Sequence, residues 1–181
     1  MHVFYKINAK KFLVYGDLCI ENQIKILKIK TLQIGSVPAE IKSLCAEYEK
    51  RLARYGVFEQ VVLNDVKNAA SLPVNELKKK EWEQYAAKIP KGAQVVLLDE
   101  GGKEFSSVEF AGYIQQQQLG SVKELVFIIG GAYGFDPEAY KTARMHLSLA
   151  RMTFSHQLVR LVFMEQLYRA FTIIRGEKYH H

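Results

Sequence analysis

ELVFIIGGAYGFDPEAYKTARMHLSLARMTFSHQLVRLVFMEQLYRAFTII, residues 124–174, reads as strand, turn, helix, strand, loop and helix. Residues 124–129 (ELVFII) are apolar after the first position, as in a strand covered on both faces, and Gly130-Gly131 stops the run. Asp136 followed by Pro137 supplies an N-cap and a first helical position, so a helix is expected over 136–145. Residues 147–152 return to a strand-like pattern, and a long helix follows over 156–174. At about 100° per residue, Phe163, Met164, Leu167, Ala170 and Phe171 form one apolar stripe. Leu158, Leu161, Val162 and Tyr168 spread over much of the remainder. A helix that is apolar on more than one face is buried on more than one face. In a chain of this size the second face suits another subunit, so a homodimer is expected over a monomer with a central helix.

Upstream the same alternation continues. Residues 28–35 (KIKTLQIG) form a half-buried strand stopped by glycine, and 38–55 a helix with Ile41, Leu44, Cys45, Tyr48 and Leu52 at three-to-four spacing. A strand over 57–63, a polar connection over 64–73 and a charged helix over 76–89 come next. Then follow an apolar strand over 94–99 (QVVLLD) and a helix over 106–118. Strands alternating with helices specify an α/β fold with a mainly parallel sheet and helices on both faces. No internal repeat and no Gly/Ser-rich linker divides the chain, so one domain is expected. The lysines at 78–80 suit a solvated helix face, with an RNA contact as the alternative.

The chain has 181 residues, 49% apolar and 24% charged, which excludes a disordered tail, a collagen and a disulfide scaffold. No apolar run reaches the roughly 20 residues of a membrane span. Cys19 and Cys45 form no Cys-x-x-Cys, so zinc-ribbon and thioredoxin-like chemistry have no support, and a cytoplasmic protein is expected. The net charge of +6 permits an anionic partner without requiring one. Residues 1–26 lack the shape of a signal peptide, because Asp17 and Glu21 interrupt the apolar stretch.

Open parallel sheets bind ligands beyond the carboxyl ends of their strands. Three segments qualify: 98–102, 130–134 and 151–156. Gly130-Gly131 suits a flat ligand lying against backbone, or simply a tight strand-to-helix turn. The dinucleotide fingerprint, the Walker A loop, the nucleophile elbow and metal-ligand spacings are absent from the sequence. His156 and Arg160 share a helix face. At a helix start a neutral imidazole is favoured, usable as a base, with a structural histidine as the alternative. Arg169, Arg175, Lys178, Tyr179 and His180 make a basic, aromatic end suited to phosphates and stacked bases, or an ordinary solvated terminus.

FIIGGAYGFDP (127–137), LSLARMTFSHQLVRLVFMEQLYRAF (147–171) and RGEKYH (175–180) together resemble the RlmH family of SPOUT-class methyltransferases. The resemblance runs from Leu27 to the C-terminus. It implies a SPOUT-type sheet whose C-terminal part threads a trefoil knot, with S-adenosyl-L-methionine (SAM) as cofactor near a homodimer interface. It implies N3-methylation of a pseudouridine in the helix 69 loop of 23S rRNA, on assembled 70S ribosomes, with neither membrane nor DNA as partner. Cofactor contacts carry over to Leu98, Gly130, Leu149, Ala150, Arg151, Met152, Thr153 and Phe154. Catalytic positions carry over to His156, Arg160, Arg169, Tyr179 and His180. No metal is implied. Ala132-Tyr133 and Gln157 depart from the pattern, and Ala132-Tyr133 receive no role. Residues 1–26 lie outside it, so a methyltransferase domain over 27–181 and a true start at Leu27 are expected. The alternatives are a non-catalytic RNA- or ribosome-binding protein of the same fold, or a related enzyme with another RNA target.

Overall fold

A computed structural model describes residues 27–179 except Val57, together with two short strands, β1 (Leu13–Tyr15) and β2 (Leu18–Ile20), which pair antiparallel. From Leu27 onward the elements alternate. They are β3 (Lys28–Ile34), α1 (Ala39–Leu52), β4 (Phe58–Leu63), α2 (Val74–Ala86), β5 (Gln94–Glu104), α3 (Ser107–Leu119), β6 (Glu124–Ile129), α4 (Pro137–Thr142), β7 (Met145–Ser148) and α5 (Leu158–Arg175). One 3₁₀ turn, Ala69–Ser71, lies in the connection before α2. The five later strands form one parallel sheet in the order β4-β3-β6-β5-β7. The α/β fold with a parallel sheet is thus as expected.

Alternation along each strand divides the core between two faces. Ile29, Leu125, Phe127, Val96 and Leu98 face α1, α3 and α5, with Phe110, Ile114, Phe163 and Leu167 filling the layer. Leu32, Ile34, Val126, Ile128 and Leu97 face the other way, onto Tyr85 of α2 and Ala139 of α4. The stripe expected on the last helix is the buried one: Phe163, Met164, Leu167, Ala170 and Phe171 are all inside. On its other side Leu158 remains 41% exposed. Local signals fix the helix starts. Ser106 and Glu109 form a reciprocal capping box at α3. Asp136 caps α4 through Glu138 N–H at 2.8 Å, as the Asp-Pro pair predicts.

Several boundaries differ from expectation. The strand read over 147–152 ends at Ser148, the helix read over 76–89 runs from Val74 to Ala86, and the last helix starts at Leu158, which leaves His156 in the turn before it. Two further shifts have a visible cause. β5 continues past Asp99 to Glu104, and after an irregularity Lys103 and Glu104 pair with Leu147 and Ser148. Gly102 allows this: a Cβ there would stand 2.6 Å from the carbonyl carbon of His146. Second, α4 ends at Thr142, because Ala143 is already extended and Arg144 N–H donates to Val95 O at 2.9 Å, starting β7 two residues early.

Candidate active site

All five strands of the sheet are parallel and so end on the same side of it. A cavity of about 600 Å³ opens at the ends of β5, β6 and β7, a volume typical of a small-molecule site. Its walls include Leu98, Ile129, Gly130, Leu147, Leu149, Phe154 and Val159. Of the residues predicted to contact a cofactor, Leu98, Gly130, Leu149, Ala150, Met152, Thr153 and Phe154 come together around it, and His156 joins them. Arg151 is the exception. Its side chain is directed to solvent and to Glu104, at 3.4 Å.

Hydrogen bonds hold these walls. Tyr85, fully buried on α2, donates to Ile129 O at 2.8 Å and so fixes the end of β6 beside Gly130. Thr153 donates to Glu100 at 2.8 Å, tying the 149–154 loop to the β5 extension. Ser148 Oγ donates to Ala150 O at 2.9 Å, and Leu158 N–H donates to Ser155 Oγ at 3.2 Å, ordering both ends of that loop. Tyr140 donates to the Asp99 carboxylate, which also accepts Gly101 N–H at 2.8 Å. Burial, then the Asp99 carboxylate, pushes the Tyr140 phenol up to about 12, so it remains a donor at neutral pH. Nothing in the sequence distinguishes Tyr140 from any other tyrosine in a short helix. Its role arises because α4 lies beside β5 only after folding.

Arg160, carried over as a catalytic position, does not line the cavity. It is 1% exposed, and its guanidinium donates to Ile34 O, to Gly35 O at 2.8 Å and to His156 O at 3.1 Å. Burial lowers its pKa, offset in part by nearby Tyr85, Cys45 and Asp65. Arg160 therefore acts as a positioning residue, joining the end of β3 to the approach into α5. Its position carried the signal: 160, 163, 164, 167 and 171 form a single helical stripe.

Arg169 and Tyr179 sit elsewhere. Arg169 pairs with Glu165 and lies 4.9 Å from the Tyr179 ring centroid. Tyr179 packs edge-on against Tyr168 at 4.8 Å and donates to Glu165 at 3.3 Å. Burial, then Tyr48 and Glu165, raises the Tyr179 phenol. His156 lies in the turn before α5, and eleven residues of helical rise, about 16 Å, separate Leu158 from Arg169 along that helix. One chain does not bring His156 and Arg169 to one reacting atom. His180 lies outside the described residues.

The cavity fits a nucleoside-bearing sulfonium. Its lining mixes apolar residues such as Leu98, Ile129, Leu149 and Phe154 with the carboxylates Asp99 and Glu100, and Lys78 is its only lysine or arginine among the described lining residues. Leu98 and Gly130 would hold the flat part, and the 149–154 loop would close over it. Among the described residues, no group of three or more His, Cys, Asp or Glu side chains could hold a metal ion, and no helix is long and apolar enough to cross a membrane.

Comparison with known proteins identifies the family. The family model described as "Predicted SPOUT methyltransferase" matches residues 27–180. A ribosomal RNA large subunit methyltransferase H from Flavobacterium johnsoniae is 46% identical over 156 residues, covering 86% of this chain and 99% of the relative. The protein of the same name from Christiangramia forsetii is 47% identical over the same shares. Among solved structures, a tRNA methyltransferase from Aquifex aeolicus aligns at 17% identity and a TM-score of 0.49, covering 78% of this chain and 69% of that one.

Proposed function

The chain belongs to the SPOUT methyltransferase family, and from that premise we propose that it is a SAM-dependent methyltransferase of 23S ribosomal RNA, acting on N3 of a pseudouridine in the assembled 70S ribosome. The observation that carries this reading is the cavity beyond β5, β6 and β7, where Leu98, Gly130, the 149–154 loop and His156 converge. The relatives' shared name, covering nearly their whole length, supports the ribosomal substrate.

When bound, the cofactor supplies an electrophilic methyl group on a sulfonium. The chain's part is placement and proton removal. Leu149, Phe154, Val159, Leu98 and Gly130 line the cavity and would hold the cofactor there. In-line placement contributes up to about 7–11 kcal/mol when orientation is good. The N3 proton must leave as the methyl arrives. His156, half-buried on the cavity wall and held through its carbonyl by Arg160, is the candidate base.

Arg169, Tyr179 and His180 are assigned to RNA contact from the second subunit of a homodimer. Support comes from the length of α5, which keeps Arg169 and Tyr179 away from their own chain's cavity, and from Leu158, exposed at the start of that helix. The trefoil knot belongs to the same proposal. The chain leaves the sheet edge at β7 and returns across the strand ends to pack α5 against α1 and α3. The protein is placed in the cytoplasm, with its ribosomal substrate.

The test combines the protein with isotopically labelled SAM and unmethylated 70S ribosomes, with free 23S rRNA and separate subunits alongside. Nucleoside mass spectrometry is expected to find labelled N3-methylpseudouridine from 70S particles alone. Cofactor binding by calorimetry without transfer would assign another RNA target. Absence of both would leave a non-catalytic binding protein of this fold.

A further inference from the structure

The turn after β6 displays an aromatic ring that the core does not use. Gly131 and Gly134 form an isolated antiparallel bridge, Gly134 N–H donates to Gly131 O at 3.2 Å, and Gly134 takes φ +75°. Tyr133 rides on this closed turn, 59% exposed, on the wall of the cavity. The turn is braced from below by α2. Both carboxylate oxygens of Glu81 lie 2.7 Å from where a Cβ on Gly131 would stand, so glycine is what admits α2 this close. Lys78, one helical turn before Glu81, lines the same cavity. Its neighbour Lys80 is engaged by Glu76 at 2.8 Å, whereas Lys78 has no carboxylate partner among the described residues. Met152, 78% exposed, adds a second apolar side chain to the lining. Exposed apolar groups gathered at a concave site mark a contact surface. An aromatic ring and an ammonium on the lining of one cavity match a nucleotide, which offers a π-face and a phosphate.

We propose that Tyr133 and Lys78 form a nucleotide subsite at the cavity mouth, taking the RNA residue next to the one that is methylated. The Tyr133 ring stacks on that base, and the Lys78 ammonium meets its phosphate. The subsite tolerates any base, because every base has a face to stack. The inference rests on the RNA-methyltransferase reading above.

The test uses the full chain, 70S ribosomes and labelled methyl donor, with fluorescence anisotropy of a labelled RNA hairpin as an independent binding measurement. Tyr133→Ala is expected to raise the ribosome KM and weaken hairpin binding by about tenfold, within the range for a lost base stack. Its kcat and calorimetric cofactor Kd should stay within about twofold. Tyr133→Phe should restore both RNA constants. Lys78→Gln should flatten the slope of log Kd against log salt by about 0.7, one single-strand phosphate contact. Unchanged RNA constants in Tyr133→Ala would overturn the subsite. A Lys78→Gln variant that loses cofactor affinity and keeps the salt slope would give the lysine to the cofactor's carboxylate instead. Tyr133-dependent hairpin binding without methyl transfer would sustain the subsite and defeat the methylation reading.

Discussion

The two ends of α5 are built on opposite plans. At its start lie strand ends, a glycine turn, and a loop held by Thr153 and Ser148. At its finish lie side chains stacked on one another. Tyr55 lies flat on Phe171 at 5.3 Å, Arg175 covers Tyr55, Arg51 touches Tyr48 and Tyr168, and Arg169 covers Tyr179. The first plan leaves a concave surface that can accept a ligand. The second fills its own concavity and presents the outer sides of its cations. The lesson is that residues grouped by a single motif sit at two separate places, one beside the cavity and one in a cluster of aromatic rings and cations.

The largest effect should come from breaking the link that supports the first end. Arg160→Met leaves the carbonyls of Ile34 and Gly35 without their donor in a buried site. We expect a loss of about 3 kcal/mol in urea unfolding, from the desolvation of unpaired polar groups, accompanied by loss of cofactor affinity. Arg169→Met, at the other end, should cost about 1 kcal/mol or less. Equal losses at the two positions would erase the distinction.

Next in size is the catalytic comparison. His156→Ala should lower kcat by about 10²-fold or more, the usual scale for general-base removal, with unchanged cofactor affinity. Tyr179→Ala should lower methylation by about tenfold, within the range for a lost stacking contact, also without change in cofactor affinity. A dimer pairing a cofactor-deficient subunit with a Tyr179→Ala subunit should regain one working site. Inactivity of that mixed dimer would place both ends in the same chain's reaction.

The smallest effect concerns the carboxylate under the glycine turn. Burial, then Asp65, raises the pKa of Glu81. A carboxyl raised in the folded state stabilises the fold below its unfolded pKa, about 4.3, and loses that contribution as pH rises through the folded value. Glu81→Gln should therefore raise Tm slightly at pH 7 to 8, and the gain should shrink toward zero near pH 4. A pH-independent difference in thermal scans would remove charge from the account.

Much of this organisation is legible in the sequence. The strands at 28–34 and 124–129 announce themselves through apolar runs ended by glycine, and the rule that ligands bind beyond strand ends selects 98, 130 and 151–156 as neighbours. The features that escape it depend on distant partners. Gly102 looks like a turn residue until β7 lies against it. Lys78 looks like part of a solvated run until α2 is docked under the turn after β6. Arg160 could have been found, because it stands on the apolar stripe of its own helix, where a charge requires buried acceptors.

The Arg160 contact also has a temporal side. Its carbonyl partner on Gly35 lies 125 residues earlier in the chain, and the guanidinium arrives on the last helix. Every strand of the parallel sheet precedes that helix, so the sheet can align before the end of β3 has its permanent donor. Loops of this span close slowly relative to local structure. Because that donor is carried on α5, the carbonyls at the end of β3 have this partner only once the last helix has been made and packed.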